Sequence, residues 1–184
     1  MKSFLLCAAC LVCWLGANYA QECKKTEYSA EQQKYLDDAV QKFASCGLPL
    51  DDGCRITLAQ AMEQIYGVKD FGSGSRYMTP AEITKKVSGD TSWEHVGNAS
   101  DQNALKTAQS SANCGKAVIA VLASDTGGHV ALILPGAVSP SGMWKLDVPK
   151  SASFFTHSPS KSFAGKPLSF SFPSPQNVEL YAKK

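Results

Sequence analysis

Hydrophobic side chains follow a helical period in the segment after residue 28. Ser29 and Gln32 form a capping-box pattern, which predicts that a helix begins here. Gly47 and Pro49 interrupt the pattern and predict that this helix ends near Cys46. Its apolar stripe contains Leu36, Ala39, Val40 and Phe43.

A second amphipathic segment follows two acidic residues and Gly53, and it ends before Gly67. Acidic and glycine residues before such a segment, with a glycine after it, are typical start and stop signals of a helix. The apolar stripe of the segment consists of Cys54, Leu58, Ala61, Met62 and Ile65. We therefore expect Cys54 in the first turn of a helix, with its sulfur directed towards the rest of the fold.

The remainder of the chain changes from helical to strand-like patterns. Thr79 and Glu82 form another capping box, which predicts a short helix over residues 83–87, and Asp101 begins a predicted helix that extends to about residue 109. Residues 124–128 resemble a tight turn that joins two antiparallel strands. Helices followed by strands predict an α+β fold with an antiparallel sheet. Strands are predicted over residues 118–122, 129–134, 143–148, 168–172 and 178–181.

The start of the chain has the charged end and apolar core of a secretory signal peptide. We expect residues 1–20 to be this signal peptide and residues 21–184 to form a single exported domain. The rest of the chain has no apolar run long enough to cross a bilayer. Asn98 begins a glycosylation sequon, which would have to lie on the surface if it is used.

Charge and motif spacing disfavour several classes of function. The net charge of +2 and the lack of a basic, aromatic-rich stripe argue against nucleic acid as a partner. The histidines and cysteines lack the spacing of a zinc site, so we expect neither a metal nor a cofactor. The glycine-serine segment at residues 71–75 lacks the strand and the lysine of a phosphate-binding loop.

Four cysteines remain after the predicted signal peptide: Cys23, Cys46, Cys54 and Cys114. In an oxidising compartment an even count favours two disulfide bonds, whereas a free Cys54 would leave three cysteines for one bond. A continuous helix between Cys23 and Cys46 would separate their Cα atoms by roughly 30 Å, which is too far for a bond. We therefore expect Cys114 to pair with one of these two.

Cys54 is also a candidate nucleophile. A helix N-terminus favours a thiolate, but the carboxylates of Asp51 and Asp52 oppose it, so a cationic partner is required. His129 is the best candidate for this partner, because it opens a strand directly after two glycines. Asp147, on the next predicted strand, is the candidate third member that would hold the imidazole.

Each of these three residues has a structural alternative. Cys54 could be buried for packing or bonded to the nearby Cys46, and His129 could be a hydrogen-bonded histidine of the core. Asp147 could be a solvated strand residue. We expect the other two histidines, His95 and His157, to lie on the surface or in loops.

Three blocks, at residues 52–61, 128–136 and 148–155, resemble the second family of type VI secretion amidase effectors, and most closely the domesticated effectors of ticks and mites. The resemblance implies a papain-like (NlpC/P60-like) fold, with Cys54 as nucleophile and His129 as base. It also implies that the protein is an antibacterial amidase that cleaves the cross-link between meso-diaminopimelate and D-alanine in bacterial peptidoglycan, with no obligate protein partner.

This hypothesis also specifies how the intermediate would be stabilised. The developing oxyanion would accept a hydrogen bond from the backbone N–H of Cys54 and from one further donor. Two other functions stay open. The protein could be a papain-like acyltransferase or a hydrolase of a different peptide bond. It could instead be a secreted wall-binding or structural protein without catalytic activity, in which Cys54 is oxidised.

Overall fold

The computed structural model describes Cys23 and residues 28–73, 76–122 and 128–184. The predicted signal peptide and most of the predicted turn at residues 124–128 lie outside the described residues. Among these described residues, five α-helices precede or interrupt the strands, and two short 3₁₀ turns follow later. The helices are α1 (Ala30–Ala44), α2 (Asp52–Arg55), α3 (Thr57–Tyr66), α4 (Pro80–Val87) and α5 (Gln102–Asn113), and the 3₁₀ turns are Pro159–Lys161 and Leu168–Phe170.

The helices begin where the sequence places their capping residues. Ser29 and Gln32 form a capping box at the start of α1, and Thr79 and Glu82 form one at the start of α4. Gly67 ends α3 in the left-handed conformation, with φ of 66°, which is accessible to glycine without a steric penalty. The predicted helix that carries Cys54 is divided at Ile56 into α2 and α3.

Six strands form an antiparallel sheet in the order β3-β10-β4-β5-β8-β9. In the part of the chain that the structure describes, two pairs of short strands, β1–β2 and β6–β7, lie outside it. The α+β prediction is therefore confirmed. The strands are β1 (Gly72–Ser73), β2 (Arg76–Tyr77), β3 (Trp93–Asn98), β4 (Val118–Leu122), β5 (His129–Ile133), β6 (Ser139–Ser141), β7 (Leu146–Val148), β8 (Lys150–Ser153), β9 (Phe163–Pro167) and β10 (Val178–Lys183).

Both faces of the sheet are covered, and successive residues of β5 point to opposite faces. Val130 and Leu132 pack in a cluster with α1, α3 and α4, on what we call the first face. Ala131 and Ile133 pack in a second cluster with α5, the β6–β7 hairpin and the turn at Leu168–Phe170, on the second face. This alternation determines which side of the sheet any neighbouring side chain can reach.

Two strand predictions were wrong, the second of them only in part. The first was wrong throughout: residues 168–172 contain a 3₁₀ turn and no strand, and Leu168 and Phe172 are buried while Phe170 points outwards and is 59% exposed. The predicted strand at residues 143–148 is reduced to β7, since Lys145 adopts a positive φ of 57° in the turn before it. The sequence missed strands β3, β8 and β9 of the main sheet and the short strands β1, β2 and β6.

Two disulfide bonds join the four described cysteines, Cys23 with Cys114 and Cys46 with Cys54. The first confirms that Cys114 pairs with Cys23 or Cys46. Such bonds are typical of extracellular proteins. In the described part of the chain, no helix is both long and apolar enough to cross a membrane.

Candidate functional site

A groove of about 410 Å³ opens beside the Cys46–Cys54 bridge. Its wall is formed by the loop between α1 and α2, the end of α2, the start of α4, the residue before β5 and the segment after β8. The volume lies in the range of small-molecule and short-peptide sites. Its lining residues are Leu48, Pro49, Leu50, Arg55, Thr79, Pro80, Ala81, Gly128, Thr156 and His157.

Cys54 lies in α2, is half-buried and packs against the first-face cluster. Its backbone N–H donates a hydrogen bond of 2.7 Å to the carboxylate of Asp51, the N-cap residue. The predicted oxyanion donor is thus already occupied by a carboxylate. The sulfur of Cys54 is bonded to Cys46, so in this state it is neither a thiolate nor a nucleophile.

The Cys46–Cys54 bridge also shapes the groove. The two cysteines have a sequence separation of 8, and their bond closes the loop between the end of α1 and α2. Leu48, Pro49 and Leu50 lie inside this loop and form one wall of the groove. The bond therefore fixes both the candidate nucleophile and the adjacent binding surface.

His129 lies on the second face of the sheet. Its partner on β4, Leu122, packs against the second-face cluster, and the His129 ring lies 5.2 Å from that of Phe172 in an edge contact. Phe155 stacks on the same imidazole with a centroid distance of 4.7 Å. Atom Nε2 lies 2.9 Å from Oγ of Ser153. His129 is therefore held between two aromatic rings and a serine hydroxyl.

Burial sets the protonation state of His129. Removal from water disfavours the imidazolium and lowers the pKa of His129 to about 4. The ring is consequently neutral at neutral pH. A neutral imidazole can accept a proton, but as it stands it supplies no positive charge to stabilise a thiolate.

Asp147 lies on β7 in the hairpin outside the main sheet. Its backbone N–H donates to the side chain of Gln102, and its carbonyl accepts from the same amide, at 2.8 and 2.9 Å. Among the hydrogen bonds of the described residues, the partner of the His129 ring is Ser153, not Asp147. Within the described contacts, none joins Cys54, His129 and Asp147, so their catalytic roles remain predictions.

The structure nevertheless places two neighbours of the predicted pair together. Arg55 follows Cys54, Gly128 precedes His129, and both border the groove. His157, an exposed histidine as expected, borders it too. The sequence pointed to none of Arg55, Ser153 and His157 as site residues. Arg55 belongs to a predicted helix, and the segments of Ser153 and His157 carry no local pattern that indicates a site.

The chain matches no protein-family model, and no curated protein is significantly similar to it. Its resemblance to amidase effectors therefore rests on the three sequence blocks.

Proposed function

We propose that this protein is a secreted cysteine amidase with a papain-like (NlpC/P60-like) fold, which hydrolyses the meso-diaminopimelate–D-alanine cross-link of bacterial peptidoglycan as an antibacterial factor. One observation carries the proposal: the residue after Cys54 and the residue before His129 border the same groove, although they are far apart in the sequence. The order of the elements, with a cysteine-bearing helical turn before a histidine-bearing antiparallel sheet, is also compatible with such a fold.

The proposed reaction begins with reduction of the Cys46–Cys54 bond. Two molecules of a low-molecular-weight thiol reduce it, which yields two protein thiols and one external disulfide. A histidine takes the proton of the Cys54 thiol, the thiolate attacks the D-alanine carbonyl carbon, and the diaminopimelate amine leaves with the proton that the histidine returns. Water hydrolyses the thioester and regenerates the Cys54 thiol.

Two histidines are candidates for the base. The sequence favours His129, whose ring is enclosed by Phe155 and Phe172, whereas His157 borders the groove directly. Replacement of each histidine singly by alanine, assayed in the reduced protein, shows which of the two is the base. The base is the histidine whose removal abolishes hydrolysis while circular dichroism shows that the fold is retained.

A matched pair of variants tests the nucleophile. Cys46→Ser and Cys54→Ser both remove the bridge, and each leaves one free cysteine. We expect only Cys46→Ser to cleave purified peptidoglycan without a reductant, measured as loss of cross-linked dimers in chromatography. Wild type should cleave after reduction, and Cys54→Ala should not. If Cys54→Ser is as active as Cys46→Ser, Cys54 is not the nucleophile.

A second candidate is a secreted wall-binding protein without catalytic activity. The observation that favours it is the bond between Cys46 and Cys54, together with the enclosed ring of His129. On this alternative, the bridged protein sediments with peptidoglycan, and neither reduction nor Cys46→Ser releases any muropeptide. Alkylation and mass spectrometry under non-reducing conditions would verify the redox state in each assay.

A further inference from the structure

The groove combines apolar walls with a positive charge. Leu48, Leu50 and three further residues give it apolar walls, and Arg55 is the only arginine or lysine among the described residues that line it. In the described part of the chain, no aspartate or glutamate lines it. A ligand that suits this surface has a short apolar part next to a negative charge, because such a ligand complements both features.

Arg55 is anchored in a way that leaves part of its guanidinium available. Its Nε donates a hydrogen bond of 3.0 Å to the carbonyl of Leu50, which fixes the side chain against the groove wall. In the described part of the chain, no ion pair includes Arg55. The two terminal nitrogens of a guanidinium group have the spacing to donate hydrogen bonds to the two oxygens of a carboxylate.

Arg55 also borders a second cavity, which contains other charged residues. This cavity of about 440 Å³ is bordered also by Asp52, Arg76 and Tyr77. Arg76 is paired with Glu82 at 2.5 Å, so its charge is already balanced. Asp52 borders this second cavity and not the groove.

We propose that the groove binds a peptide that carries a free carboxylate beside a small apolar side chain, such as a terminal alanine, and that Arg55 binds this carboxylate. The identification of this peptide as a cell-wall peptide rests on the proposed function. Arg55 thereby makes the protein selective for free over amidated carboxylates. The walls at Leu48 and Leu50 hold the apolar part of the ligand.

Two probes that differ by one charge test this assignment. Diacetyl-L-lysyl-D-alanine and its C-terminal carboxamide are titrated into the bridged protein, and binding is followed by NMR chemical shifts. We expect the carboxylate to bind wild type about five- to tenfold more tightly than the amide. Arg55→Gln should remove this preference. Lys106→Gln, an equal change of charge at an exposed position of α5, should retain it.

The proposal is overturned if wild type binds both probes equally, if it binds neither, or if Arg55→Gln keeps the preference. These outcomes are independent of catalysis, because the bridged protein has no free Cys54 thiol. A carboxylate preference in a protein that never hydrolyses peptidoglycan would refute the amidase and support this inference. Hydrolysis by the reduced protein without a carboxylate preference would support the amidase and refute this inference.

Discussion

Loss of the Cys46–Cys54 bridge should lower stability by a predictable amount. The bond constrains the unfolded chain, and its stabilisation grows with the length of the closed loop. A sequence separation of 8 gives about 2.5 kcal/mol at 25 °C from the loop-entropy relation. The separation of 91 between Cys23 and Cys114 gives about 4.6 kcal/mol from the same relation. The shorter loop should therefore contribute roughly half as much.

Urea unfolding of two double variants measures this difference. Cys46→Ser with Cys54→Ser should lower the free energy of unfolding by about 2.5 kcal/mol, and Cys23→Ser with Cys114→Ser by about 4.6 kcal/mol. Double replacement avoids a leftover thiol that could exchange. Circular dichroism provides the control that both variants fold. A reversed ranking, or a loss below about 1 kcal/mol for the shorter loop, would refute the loop-entropy reasoning.

Three further predictions concern the core, a helix cap and pH. Leu132→Ala removes a fully buried side chain of the first-face cluster and should lower the free energy of unfolding in urea by about 2–5 kcal/mol. The control is Leu48→Ala, at a side chain that is 62% exposed, which should change the free energy of unfolding by no more than about 0.5 kcal/mol. Ser29→Ala removes the hydroxyl that accepts a hydrogen bond from the backbone N–H of Gln32. It should therefore lower stability by about 1 kcal/mol and speed amide hydrogen exchange in the first turn of α1. Unchanged exchange would contradict this prediction. Burial lowers the pKa of His129 to about 4. The unfolded chain therefore binds more protons than the folded one below about pH 6.5, and stability should fall by at most about 3 kcal/mol as the pH drops from 6.5 to 4. His129→Gln should flatten this part of the profile, and a wild-type stability that is independent of pH between these values would refute the assignment.

The sequence predicted those elements that carry a local signal. The capping boxes located the starts of α1 and α4, and the apolar β-branched run located β4. Strand β8 was missed because two of its residues, Ser151 and Ser153, are polar yet fully buried. Their hydroxyl groups are satisfied by hydrogen bonds to distant parts of the chain, which no local pattern reveals.

The site was harder to predict because it depends on strand register. The sequence identified His129 as the first residue of a strand, and the structure has β5 begin there. The face of the sheet that its side chain occupies follows from pairing with β4 and β8, and a shift by one residue would reverse that face. The partner Ser153 likewise depends on this register, so no sequence spacing could have revealed it.

The two candidate functions differ in what they require of His129 and Cys54 together. Reduction alone frees Cys54, but His129 lies on the second face of the sheet while Cys54 packs against the first-face cluster. A catalytic His129 would therefore have to leave its contacts with Ser153 and Phe155, whereas His157 already borders the groove. Ser153→Ala separates these possibilities in the reduced protein. If His129 is the base, loss of the Ser153 contact should raise the rate of hydrolysis, because the ring then leaves its enclosed position more easily; if His157 is the base, only stability changes.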